Sequence, residues 1–265
     1  MVRQELDQAY SERADLSALI ANGIVEGYSA EDKFGHQPNF AIADSGEDFP
    51  VWDMKQLYTF MDSAVKLYIS SANAGDTMAI QIFGYDSAGK FQNHIQTIAG
   101  QTKTEIGTDL LWTQCVYRIF NPSGTKTLGQ VYVYEDDTPT NGVPQTATKI
   151  KGAMTVGSQQ TESTVFCIPS DKQGELDSWW SSILKAGVKN ADVTLVKQEA
   201  GGVVRDIRHI GLTTGGDSYV AIDYKYPKIL PPLTRIYIRV DLVGANATGI
   251  SGGYEMTLID LVESN

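Results

Sequence analysis

No run of about 18 apolar residues, the length a membrane-crossing helix needs, occurs anywhere in this 265-residue chain. The first 30 residues alternate charged and apolar groups and lack the basic start and apolar block of a secretory signal. The expectation is a soluble protein without a membrane partner, made and assembled inside a cell and not exported through a secretory route. Cysteine is nearly missing. Cys115 and Cys167 each lie in an apolar, β-branched run, which predicts two unpaired thiols buried as small hydrophobes in a reducing compartment. Positive charge is also short: Lys and Arg number 21 against 32 Asp and Glu, a formal net charge of −11. The first 50 residues hold three basic and ten acidic groups, and the remaining 215 hold 18 and 22. An acidic leader before a nearly balanced body repels phosphate, which argues against nucleic acid as a partner.

Histidine is scarce as well. His36, His94 and His209 are isolated, with no His-x-x-x-His and no Cys-x-x-Cys, so no zinc motif is present. Neither Gly-x-Gly-x-x-Gly nor the phosphate-binding Gly-x-x-x-x-Gly-Lys-Ser/Thr occurs. Gly249-Ile250-Ser251-Gly252-Gly253 has the letters of a nucleophile elbow. That elbow needs a following helix and a later histidine, whereas Tyr254 to Val262 has a strand pattern and no histidine follows His209. A glycine-rich loop is the reading. Glu135-Asp136-Asp137 gathers carboxylates on one loop, as a calcium site or a glycosidase pair would. Without EF-hand spacing it reads as a solvated acidic turn, with a calcium or glycan site there left open. Asn246-Ala247-Thr248 is a glycosylation acceptor only in a secreted chain. The chain is therefore expected to be no enzyme, with no catalytic residue, cofactor or metal ligand.

Hydrophobic residues make up 42% of the chain and charged residues 20%, enough apolar material for a core. From Glu5 to about Ala21, apolar groups recur at spacings of three and four, a helical pattern that Asn22-Gly23 should stop. Ile24 to about Pro50 has little periodicity, so residues 1–50 read as an extended, partly helical amino-terminal arm. Beyond it the pattern is β throughout. Runs at Val65 to Ser70, Thr77 to Tyr85, Lys90 to Ile98, Leu110 to Phe120, Gln130 to Glu135 and Ala147 to Val156 have the strand density of a sandwich. Asp86-Ser87-Ala88-Gly89 reads as the turn of a hairpin. Seven further runs follow, from Thr164 to Val262, punctuated by Gly201-Gly202, Gly215-Gly216, Pro231-Pro232 and Gly252-Gly253 as turns or bends. The fold class is all-β: two tandem jelly-roll or Ig-like sandwiches at 51–158 and 159–265 behind the arm at 1–50. In Trp179-Trp180, strand geometry points one indole inward and the other outward, where it can anchor an interface.

The segment Gly27-Tyr28-Ser29-Ala30-Glu31-Asp32-Lys33-Phe34-Gly35-His36-Gln37-Pro38-Asn39, followed by Gly46-Glu47-Asp48-Phe49-Pro50-Val51-Trp52-Asp53, resembles the opening of virion structural proteins of tailed bacteriophages. Asp76 to Asn93, with its Gly-Tyr-Asp-x-x-Gly turn, and Thr164-Val165-Phe166-Cys167-Ile168-Pro169 are similar too. The chain departs from the family pattern at His36-Gln37 and at Ser170-Asp171-Lys172-Gln173. The resemblance implies an assembly role in the virion, built in the host cytoplasm, without catalytic residues. The expected function is a capsid decoration or cement protein that contacts the major capsid protein or neighbouring copies in a symmetric homo-oligomer. A tail, collar or fibre-anchoring component is the alternative within that class. Expected contact residues are Lys33, Phe34, Pro38, Phe49 and Trp52, with Trp180. An alternative of another class is a host-glycan-binding module, which would present Trp180 or Tyr254 as a platform.

Overall fold

A computed structural model describes residues 16, 18–120, 126–184, 187 and 189–261. These described residues are nearly all antiparallel β, in four sheets that pack as two sandwiches. Only the end of the expected amino-terminal helix falls within the described residues. It stops at Asn22-Gly23: Gly23 takes φ +68°, its N–H donates to Ile20 O, and the Ile24 N–H donates to Leu19 O. This is a glycine cap of the last turn.

Among the described residues the strands that follow are β1 (Tyr28–Phe40), β2 (Val65–Ser71), β3 (Ala79–Tyr85), β4 (Phe91–Thr97), β5 (Thr104–Leu110), β6 (Trp112–Phe120), β7 (Val131–Tyr134) and β8 (Ile150–Met154), then β9 (Phe166–Cys167), β10 (Lys172–Leu184), β11 (Asn190–Gln198), β12 (Val204–Thr213), β13 (Tyr219–Leu230), β14 (Arg235–Val243) and β15 (Thr248–Asp260). One sandwich packs the sheet β1-β15-β10-β13 on the sheet β12-β11-β14-β9. Its core takes Phe40 and Val51 from the amino-terminal side and Phe166 to Leu258 from the carboxy-terminal side, including Trp179 and Tyr254, both fully buried. The other packs β5-β2-β7-β8 on β4-β3-β6, around Leu67, Ile69, Ile80, Ile82, Val116 and Val133. The second sandwich is thus an insertion within the first. We call them the inserted and the terminal sandwich.

This corrects the arm expected over residues 1–50 from Tyr28 onward; residues 1–15 and 17 of it lie outside the described residues. Tyr28 to Phe40 is the edge strand of the terminal sandwich, paired antiparallel with β15 from Tyr28↔Ile259 to Phe40↔Thr248. Its alternation was hidden because the inward row holds Glu31, Lys33, Gly35 and Gln37, which face backbone and polar partners. The Lys33 Nζ donates to Gln114 O of β6 at 2.8 Å, and the Gln114 amide donates to both oxygens of Glu31 at 2.7 and 2.6 Å. Burial raises the Glu31 carboxyl above its ordinary value, while Lys33 and Gln114 lower it. β5 was missed for a similar reason, since only Ile106 and Leu110 of its seven residues are apolar and buried. Gly252-Gly253, expected at a turn, lies inside β15.

The chain leaves the terminal sandwich after Val51 and returns at Thr164, and the two passages are bonded side by side. The Thr164 N–H and hydroxyl both donate to Val51 O at 3.0 Å, and the Ile238 N–H of β14 donates to Thr164 Oγ1 at 3.1 Å. The Tyr254 hydroxyl donates to Thr164 O at 2.7 Å. Gly35 of β1 lies over this crossing, and a Cβ there would stand 2.4 Å from Val51 O and 2.7 Å from Thr164 N. Asp53, just beyond it, clamps the returning passage: its carboxylate accepts from the Thr155 N–H at 3.1 Å, the Thr155 hydroxyl at 2.7 Å and the Glu162 N–H at 2.6 Å. Burial pushes the Asp53 carboxyl up to about 7, against the pull of those three donors.

Two predictions follow from this connectivity. Deleting residues 1–27 should leave a cooperative thermal transition by circular dichroism. Deleting 1–50 removes β1 and Phe40, uncovers β15, and should abolish that transition or drive aggregation. The second concerns Asp53. Between its ordinary value of 3.8 and about 7, the folded chain holds a proton that the unfolded chain has released. The Asp53 contribution to stability therefore falls as pH rises through that window and is constant above it. The urea midpoint of the wild type relative to Asp53→Asn should drop from about pH 4.5 to about pH 7.5; parallel curves would mean that Asp53 is ionised throughout.

Candidate functional site

The outward face of the β1-β15-β10-β13 sheet brings three aromatic side chains together. Phe34 on β1 pairs in register with Gly253 on β15, which pairs with Trp180 on β10. The indole lies across the glycine, so a Cβ on Gly253 would stand 3.0 Å from Trp180 Nε1 and 2.4 Å from Lys33 O. The Trp180 ring thereby reaches Phe34, with centroids 6.0 Å apart and planes at 26°. On its other side it meets Tyr219 of β13 at 5.9 Å and 33°. The result is a line of three rings across a four-stranded sheet, the first two close to parallel and the third tilted. Its ends are exposed, Phe34 at 38% and Tyr219 at 58%.

Register sets what borders this line. On one side the row His36, Ser251 and Ser182 crosses the same strands and ends on Tyr219 itself, so the line runs diagonally into this row, with His36 Nδ1 and Ser251 Oγ 2.7 Å apart. On the other side the row is Asp32, Glu255, Ser178 and Asp223. This second row lies in a groove of about 520 Å³ whose far wall is Ile20 and Ala21 at the end of the amino-terminal helix.

A different surface lies on β4-β3-β6 of the inserted sandwich. The Phe83 ring packs against Phe91 at 5.4 Å and Tyr117 at 5.3 Å, and Phe91 and Ile95 are 47% and 60% exposed. β4 turns Gln92, His94 and Gln96 toward partial cover, and its apolar residues face outward. The Gly107 N–H of β5 donates to His94 Nε2 at 3.3 Å. β6 has its free edge bonded by residues 159–161, through the Arg118 N–H to Gln159 O and the Thr161 N–H to Val116 O. Among the described residues, no strand pairs with the outer edge of β4.

The expected contact residues divide. Phe34 and Trp180 meet on the aromatic line. Pro38 is exposed near the end of β1, and Phe49 is half-buried against the terminal core. Lys33 and Trp52 are not available to a partner. Lys33 is buried, with its ammonium on Gln114 O and over the Phe166 ring. Trp52 is fully buried among Tyr132, Tyr134 and Ile150, with its indole N–H donating to Gln56 O at 3.0 Å. An apolar residue in an irregular stretch reads as a contact, but here the stretch is the buried crossing. Tyr254 is likewise core and forms no platform, whereas the split of Trp179 inward and Trp180 outward is observed. Tyr219 was missed because nothing local ties it to residues 39 and 185 positions away.

The acidic loop is occupied by this chain's own cations. Asp136 pairs with Lys103, which holds its carboxyl below the ordinary value, whereas a general acid needs a raised one. Glu135 pairs with the buried Lys151 at 2.8 Å, and Asp137 accepts from the Gln145 and Thr146 N–H groups at 2.8 Å. His209 meets Asp241 at 3.4 Å and Thr194 at 2.9 Å on the other sheet, far in register from His36. Among the described residues, no group of three or more His, Cys, Asp or Glu is placed to hold a metal ion. Both thiols are free, Cys167 buried and Cys115 half-buried. Burial raises Cys167 to about 12, so it is inert at neutral pH.

Substituting Gly253→Ala places a methyl group against both Lys33 O and the indole, and should lower stability by about 1–3 kcal/mol. A red-shifted tryptophan emission should accompany the loss as Trp180 lifts from the sheet. Unchanged emission and an unchanged urea midpoint would contradict this packing.

No family model and no curated protein matches the sequence. Among solved structures, the chain aligns with infectious bursal disease virus, Gt strain, at 12% identity and a TM-score of 0.24, covering 89% of this chain and 73% of that one. It aligns with the tandem CBM22 domains of Paenibacillus barcinonensis Xyn10C at 9% and 0.23, covering 89% and 93%. It also aligns with the PBSX exported protein XepA at 10% and 0.20, covering 85% and 86%. At these scores none of the three carries a functional argument.

Proposed function

We propose that the chain is a non-enzymatic structural subunit of a tailed-bacteriophage particle. In this reading it is a capsid decoration or cement protein, assembled in the host cytoplasm, that binds the major capsid protein or neighbouring copies of itself. The observation that carries the reading is the pair of exposed apolar side chains, Phe91 and Ile95, on the outer face of β4 beside the open edge of that strand. Edge strands are commonly protected by lysine, proline or a bulge. β4 contains neither residue and pairs with β3 over seven residues without a register shift. An unprotected edge next to exposed Phe91 and Ile95 suits strand addition by a neighbour, with backbone bonds for affinity and the apolar side chains for fit. Repetition by symmetry multiplies such contacts through avidity. The resemblance of Lys33 to Asp53 to virion structural proteins supports the same class.

The test is Ile95→Lys, which charges the edge and leaves the core untouched. Sedimentation velocity of the purified chain, alone and mixed with shells of major capsid protein, should detect self-association or shell binding. The substitution should weaken it at least tenfold, about 1.4 kcal/mol. A wild-type chain that stays monomeric and ignores the shells would sink the reading.

A further inference from the structure

The two exposed faces differ in a way that assigns them different partners. On β4-β3-β6 the aromatic rings touch one another in a cluster, the pattern of an apolar protein contact with a core and a rim. On the terminal sandwich the three rings form a line one residue wide. Glycine lies beneath the line, and rows of hydroxyl, imidazole and carboxylate groups run along its two sides. A protein partner would have to desolvate both polar rows to reach the rings, and each polar group left without a partner costs about 1–3 kcal/mol. A ligand with apolar faces and hydroxyl edges satisfies both at once: its C–H faces lie on the rings and its hydroxyls donate to the carboxylates beside them.

We propose that the Phe34–Trp180–Tyr219 line is a binding site for a neutral oligosaccharide. The rings carry successive sugar residues across the strands. Asp32, Asp223 and Glu255 accept from sugar hydroxyls on one flank, and His36 and Ser182 bond on the other. The negative charge of the first flank excludes phosphorylated, sulfated and uronic-acid polymers, so the preferred ligand is uncharged. Gly253 is a specificity element, because any side chain there would lift Trp180 and break the line. This site is on the opposite sandwich from the β4 edge and is independent of the assembly reading: each can fail while the other stands.

The full chain is run by affinity electrophoresis through gels containing galactomannan, mixed-linkage β-glucan or α-mannan, and through hyaluronan as an acidic contrast. Retardation by at least one neutral polymer and none by hyaluronan is expected. Trp180→Ala should reduce the retardation at least tenfold. Tyr219→Ala, at an exposed edge position that does not threaten folding, should reduce it severalfold, and Tyr219→Phe should preserve it. Phe91→Ala on the other sandwich should leave it unchanged. The proposal is overturned if no neutral polymer retards the wild type, if retardation survives Tyr219→Ala, or if hyaluronan binds as well as the neutral polymers. It is also overturned if Tyr219→Ala dissolves a wild-type oligomer while no glycan binds, which would make the line a protein interface.

Discussion

Val51 and Thr164 are 113 residues apart in sequence, yet one carbonyl accepts both the N–H and the hydroxyl of the other residue, at the point where the chain leaves and re-enters the terminal sandwich. Two backbones crossing inside a protein need internal partners for every polar group they bury. Thr164 meets that need by donating twice to Val51 and accepting from β14 and from Tyr254. The placement of β1 and of the inserted sandwich depends on this crossing. It brings β1 from one end of the chain against β15 from the other, and it closes the inserted sandwich at its base. It also holds β1 close enough to β6 for Lys33 and Glu31 to find Gln114.

The same constraint explains why charge is buried here. Lys33, Lys151 and Asp53 are each almost fully enclosed, and each is paired or bonded to backbone at the seam between passages. A buried charge without such partners would cost several kcal/mol. With them it fixes which passages meet. Lys151 bonds Thr59 O and Thr148 O in addition to Glu135, tying the outgoing chain to the returning one.

Because β1 is an edge strand rather than an arm, the terminal sandwich gains an outer face that would otherwise lack one of its three rings. Phe34 reaches Trp180 only across Gly253, and β15 can carry glycine there because β1 and β10 cover its backbone on both sides. The inserted sandwich is arranged differently, leaving one strand edge open with Phe91 and Ile95 outward beside Asn93 and Thr97. One chain thus displays a framed aromatic line and an unframed apolar patch, two surfaces whose chemistries suit different partners.

The sequence by itself determined the all-β class and most of the strands, because Ile80, Ile82, Val193, Leu195 and their neighbours alternate in runs that only half-buried strands explain. It also determined that Trp179 and Trp180 face opposite ways, which strand geometry dictates locally. Tertiary structure alone decided that residues 28–40 close a sheet. Their inward positions carry Glu, Lys, Gly and Gln, whose partners come from β6 and from the crossing. It likewise decided that Trp52 and Tyr254 are core and that Tyr219 joins Trp180. Periodicity records which face of a strand is buried, but the residue it lies beside is set by pairing with strands distant in sequence.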